Sequence, residues 1–189
     1  MKFSRIPESL ILSICALLML SALPAHGMQK DPEVGGAAMF PTKNIVENAV
    51  NSKDHTTLVA AVKAAGLVDT LEGTGPFTVF APTNEAFDKL PAGTVQTLLQ
   101  PENKAQLVKI LTYHVVAGHL STHDLMKQIK AGHGKAMLKT VSGGTLTATM
   151  SDGKIMLTDE KGGMATITIP NVYQSNGVIQ VIDAVLLPN

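Results

Sequence analysis

The residues of this chain with the greatest capacity for chemistry are its histidines, its Tyr113-His114 pair, and Asp183, an acidic group set among apolar neighbours. His119, His123 and His133 lie close enough together to raise metal binding, since imidazole is a common zinc ligand. Ser121, however, is well placed to cap a helix, which leaves His119 outside it, so the pair does not share a helical face. No nearby cysteine or glutamate completes a tetrahedral set, and solvated loop histidines without a metal are expected. His114 follows an amphipathic stretch and precedes apolar Val115-Val116, which favours a hydrogen-bonded structural histidine over a binding one.

Other reaction classes lack their parts. The serines and threonines show no Gly-x-Ser-x-Gly turn between strand and helix, and the sharp turn at Pro82-Thr83 has no flanking glycines. Gly143-Gly144 and Gly162-Gly163 lack the Lys-Ser/Thr ending of a phosphate loop. No enzyme activity, nucleotide site or cofactor is therefore expected. The chain carries 15 basic and 15 acidic residues, a balance that predicts no nucleic-acid surface. Two tyrosines and no tryptophan give little basis for sugar stacking, and the methionines are scattered rather than gathered into a ligand groove.

Lys2 and Arg5 precede an apolar run from Leu10 to Leu23, and Ala25-His26-Gly27 supplies small residues for a signal peptidase. Residues 1–27 therefore read as a cleaved signal peptide. The run is short for an anchor and interrupted by Ser13, Ser21 and Pro24, so no stable membrane span is expected after cleavage. Cys15, the single cysteine, leaves with it, and the mature protein has neither disulfide nor thiol chemistry. Export to the periplasm, the cell surface or the medium follows. Residues 28–40, with Pro32 and Gly35-Gly36 and little periodicity, read as a flexible arm, and 41–189 as one domain.

The elements that must position these groups centre on Thr78–Leu90, where a short apolar strand runs through Ala81-Pro82 into a helix start. Thr83 or Asn84 can cap that helix, which carries Phe87 and Leu90 on one face. Asn44 with Glu47 resembles a capping box, followed by the stripe Ile45, Val46, Ala49 and Val50. A second helix is predicted from Leu58 to Gly66, a third from Pro101 to near Tyr113-His114, and a fourth from Ser121-Asp124 through Ile129. Thereafter five β-rich runs, 137–141, 145–150, 154–157, 165–169 and 178–187, are separated by turn clusters, of which Asp152-Gly153 is the strongest hairpin signal. Helices first and strands afterwards imply an α+β domain with mostly antiparallel pairing. The last run is apolar on both faces, which places it beside Thr78–Phe80 inside the sheet. Asp183 there needs donors, and His114 or the Thr83-Asn84 turn is expected to supply them.

Three stretches, Thr78 to Phe87, Tyr113 to Val116, and Asn176 to Pro188, together resemble the fasciclin domain in order and spacing, over nearly the whole chain from about Phe40. The resemblance implies a wedge of antiparallel strands with helices packed on one side. It also implies a secreted or surface-attached, non-enzymatic adhesion or binding module that contacts a protein, matrix or envelope component. Tyr113 and His114 fall on the family's Tyr-His pair, a candidate binding motif, while Thr83, Asn84, Asn176, Gly177 and Asp183 fall on its structural motifs. An Asp-Ile pair linked to integrin adhesion in some members is replaced by Asn171 and Val172, so integrin binding is not carried over. The alternative is a periplasmic module that takes a small apolar ligand between helix and sheet or modulates an envelope complex.

Overall fold

In the computed structural model, which describes residues 31–189, Glu33–Val34 (β1) pairs with Ala37–Ala38 (β2) across Gly35-Gly36. Both glycines have positive φ, as a two-residue hairpin turn requires. Asn44 caps α1 (Ile45–Ala49) in a reciprocal box with Glu47, and a 3-10 turn, Lys53–His55, leads into α2 (Thr56–Ala65). Then come α3 (Val68–Glu72), β3 (Phe77–Pro82), and α4 (Asn84–Asp88) capped by the Thr83 side chain. α5 (Thr94–Leu98) and the turn Pro101–Asn103 bring the chain to α6 (Lys104–Tyr113), the short strand β4 (Val115–Ala117), and α7 (Thr122–Ala131). A second reciprocal box, Ser121 with Asp124, starts α7. The remaining strands are β5 (Lys135–Lys139), β6 (Thr145–Ser151), β7 (Lys154–Thr158), β8 (Met164–Gln174) and β9 (Gly177–Ile182). Asp152 and Gly153 both take positive φ in the β6–β7 turn.

Seven strands form one mixed sheet in the order β4-β3-β9-β8-β7-β6-β5. Its two ends meet: Val116 bridges Thr140, and Val141 N–H donates to the Val115 carbonyl at 2.8 Å, so the sheet curls almost into a barrel. β3 and β9 lie side by side within it, the second and third strands of that order, from Phe77 opposite Gly177 to Pro82 opposite Ile182. Alternation along these strands divides the interior. Val79, Ala81, Ile179 and Val181 face a cluster built with α1–α6, whereas Phe80 and Ile182 face a second cluster inside the curl of β5–β8, which α7 enters through Leu125 and Ile129.

Several expectations change. The β3–β9 pair is parallel, so the wedge is not purely antiparallel, and the long connection between the two strands, which carries α4–α7 and β4–β8, permits that direction. Six helices share one face of the central strands, while α7 packs in the other cluster. The described part of the expected arm, from Asp31, is no tether: Val34 and Met39 are buried in the core, and Gly35-Gly36 are the tip of a hairpin. Val50 is exposed and outside the α1 stripe; Asn48 is the buried residue there. β8 continues through Pro170 to Gln174 because two register shifts against β9 accommodate the proline. β9 stops at Ile182, short of Leu187. The expected signal peptide lies outside the described residues, among which no helix is long and apolar enough to cross a membrane.

Candidate functional site

The junction after β3 is held from three sides. Thr83 Oγ1 accepts from Ala86 N–H at 3.3 Å, and Thr83 N–H donates to the Ile182 carbonyl at 3.3 Å, tying the turn to β9. Asn84 is the first residue of α4, and its side chain reaches the start of α2. It accepts from Thr57 N–H at 3.0 Å and Thr56 Oγ1 at 3.2 Å, and donates to the Lys53 carbonyl at 2.8 Å. The cap is thus Thr83, while Asn84 clamps two helices together.

Tyr113 and His114 turn inward at the end of α6. The Tyr113 ring is fully buried, and a side chain on Gly144 would fall 2.6 Å from its Cε2. Its hydroxyl donates to the Thr145 carbonyl at 2.8 Å and accepts from Glu160 N–H at 3.1 Å. Burial pushes the phenol up to about 12. His114 is 3 % exposed; its Nδ1 bonds the Ile110 carbonyl at 2.9 Å and its Nε2 accepts from Leu186 N–H at 3.1 Å. Those two partners select the neutral tautomer with the proton on Nδ1. Burial outweighs the carbonyl of Ile110 and the charge of Asp159, and holds the imidazole down at about 4. Neither side chain is offered to a macromolecular partner.

Asn176 and Gly177 fasten β9 to the helices and to β3. Asn176 Oδ1 accepts from Ile45 N–H, an unpaired donor of the first turn of α1, at 3.0 Å. Its Nδ2 donates to the carbonyls of Leu71 at 2.7 Å and Gly73 at 2.9 Å, closing the end of α3. Gly177 lies so close to β3 that a Cβ there would sit 2.1 Å from the Phe77 carbonyl oxygen.

Asp183 finds a different partner from those expected. Its Oδ1 accepts from Thr166 N–H at 2.7 Å, and its own N–H donates to the Thr166 carbonyl at 3.2 Å. The nitrogens of His114 are engaged elsewhere, and the Thr83 hydroxyl and Asn84 amide face the helices. Because β9 ends at Ile182, Asp183 is free to bond β8 rather than point into either core. Asp183→Asn, which keeps an Oδ1 acceptor, should change stability by less than about 0.5 kcal/mol, whereas Asp183→Ala should remove about 1–2 kcal/mol. Urea unfolding of both variants checks this, and equal losses would make charge rather than the acceptor decisive.

Among the buried polar residues that escaped the sequence reading, Thr78 and Gln180 hold a surface loop. Thr78 Oγ1 donates to the Gly118 carbonyl at 2.7 Å and accepts from Leu120 N–H at 2.8 Å. Gln180 Nε2 donates to the Leu120 carbonyl at 3.0 Å, and its Oε1 accepts from Asn171 N–H at 2.9 Å. Asn171, with φ of 56°, accepts from Thr122 N–H at 2.8 Å and so ties the first turn of α7 to β8. The central strands thereby pin loop 118–122 in place. That loop presents His119, stacked on Tyr173 with centroids 5.4 Å apart and planes 7° from parallel. Tyr173 is 44 % exposed and His119 is exposed beside it. The visible signal was a glutamine in the middle of an otherwise apolar strand. His119, His123 and His133 form no cluster, and no group of three His, Cys, Asp or Glu suited to a metal occurs among the described residues.

A family model described as "Fasciclin domain" matches residues 53–188. The chain is 49 % identical over 160 residues to Protein sll1483 of Synechocystis, spanning 85 % of this chain and 82 % of that one. It is 35 % identical over 168 residues to Immunogenic protein MPB70 of Mycobacterium bovis, spanning 86 % and 72 %. Cell surface glycolipoprotein MPB83 of the same species is 35 % identical over 163 residues, spanning 86 % of this chain and 63 % of the relative. Among solved structures, a FAS1 domain pair from the insect cell adhesion molecule Fasciclin I superposes with a TM-score of 0.67 at 20 % identity, a likeness of fold. It covers 77 % of this chain, which spans about half (51 %) of that pair.

Proposed function

The chain belongs to the fasciclin domain family, and from that membership we propose that it is an exported, non-enzymatic binding module that contacts a protein or cell-surface component through its exterior. The observation that carries this reading is the inward commitment of Tyr113, His114, Asn176 and Gly177, set against an exposed, pinned His119–Tyr173 stack. A tyrosine and an imidazole held in an offset stack beside a fixed loop supply contact area with little side-chain entropy left to lose. A relative described as a cell-surface glycolipoprotein and a fold neighbour from a cell adhesion molecule support the same reading. The contact would be small, so affinity is expected to be modest unless the partner is multivalent.

Purified protein lacking residues 1–27, immobilised and exposed to envelope and extracellular fractions, should retain a specific component. The double substitution His119→Ala with Tyr173→Ala should lower that retention at least five-fold without a large change in thermal stability. Equal retention by both proteins would move the contact away from this stack.

A further inference from the structure

Between α1–α3 and the central strands lies a cavity of about 80 Å³, walled by apolar side chains that include Val34, Met39, Leu58, Val79 and Ile179. The lining also reaches exposed Lys63 and Thr70, so the space opens to the surface as a slot. One wall residue is out of character. His55 is buried, and its Nδ1 is engaged with the Ser52 hydroxyl at 2.9 Å. Its Nε2 is the one buried side-chain nitrogen or oxygen without a hydrogen-bond partner among the described residues. The Ala81 carbonyl approaches the ring closely enough to favour its protonated form, but no full hydrogen bond reaches Nε2, and burial dominates and holds the imidazole below its ordinary value.

A buried polar atom without a partner is costly, and native interiors rarely keep one idle. Water is a poor remedy here, because a buried water needs two to four polar partners. Of the other polar lining groups, the Ser52 hydroxyl already engages His55, that of Thr112 the Val108 carbonyl and both nitrogens of His114 the backbone, while Lys63 and Thr70 lie at the exposed end. An apolar body with a single oxygen answers both features of the slot. A hydroxyl suits either neutral tautomer, since it donates and accepts. A cavity of roughly 150 Å³ admits benzene, so this one takes only the oxygen-bearing end of a longer molecule, whose remainder lies along the slot toward Lys63 and Thr70.

We propose that this slot is a binding site for a neutral, chain-like apolar molecule whose terminal hydroxyl or carbonyl oxygen hydrogen-bonds His55 Nε2. The site is independent of the exterior contact at His119 and Tyr173. 1-Hexanol and hexane, titrated separately into the full ¹⁵N-labelled chain, test it. Hexanol should shift the amide signals of slot residues and bind at least five-fold more tightly than hexane. It should also move the His55 Nε2 resonance in long-range ¹H–¹⁵N spectra, which hexane should not. His55→Phe should bring the two probes within two-fold of each other; if that variant does not fold, the wild-type Nε2 response decides alone. Equal affinities for the two probes, an unmoved Nε2 resonance at saturating hexanol, or unshifted slot amides would each overturn the proposal.

Discussion

Gly177→Ala is expected to destabilise the protein by about 3 kcal/mol or more, a large share of the total for a domain of this size. The added Cβ would meet the Phe77 carbonyl carbon at 2.9 Å as well as its oxygen at 2.1 Å, and both are backbone atoms that no rotamer change can clear. Relief requires β3 and β9 to separate at the first rung of their parallel ladder, where Phe77 N–H donates to the Asn176 carbonyl at 3.1 Å. That movement would also pull Asn176 from Ile45, Leu71 and Gly73, so strand pairing and two helix ends fail together. Denaturant unfolding measures the loss. A change below 1 kcal/mol would mean that the two central strands are not locked at this point.

The second large effect is a loss of stability in acid through His114. Above pH 6.5 the ring is neutral in both the folded and the unfolded chain, and its pH-dependent contribution is constant. Between pH 6.5 and about 4 only the unfolded chain binds the proton, because the buried ring would have to give up the Leu186 N–H it accepts. The His114 contribution should therefore fall across that window by up to about 3 kcal/mol and level off below it. His55, also held below its ordinary value by burial, adds to the slope in the same direction. Urea unfolding at half-unit pH steps should show the decline in the native protein and a shallower one in His114→Gln. An identical slope in the two would assign the acid sensitivity elsewhere.

What could be read from residues alone follows the range of the interactions involved. The capping boxes at Asn44 and Ser121 and the Asp152-Gly153 turn are local patterns, and they form as expected. The placement of β9 beside β3 was also legible, because a run apolar on both faces can only sit inside. Short or interrupted elements were not. β4 has three residues directly after a helix, and β8 crosses a proline that ordinarily ends a strand. The Gly35-Gly36 pair reads as flexibility in isolation and becomes a hairpin only because Val34 finds a core to enter. Long-range polar partnerships were hardest: Asp183 with Thr166, Asn176 with α1, and Gln180 with loop 118–122 each depend on where the chain returns.

That loop is where scaffold and exterior meet. If the Tyr-His pair is scaffold and the outer stack is contact, the two tyrosines should separate stability from binding. Tyr113→Phe removes the hydroxyl that joins Thr145 to Glu160 and should lower unfolding stability by about 1–2 kcal/mol. Measured on folded protein, its affinity for the component retained from envelope or extracellular fractions should stay within two-fold of wild type. Tyr173→Ala should do the reverse, with affinity falling at least five-fold and stability barely altered. Loss of binding in Tyr113→Phe with full binding in Tyr173→Ala would contradict the assignment of interior to scaffold and exterior to recognition.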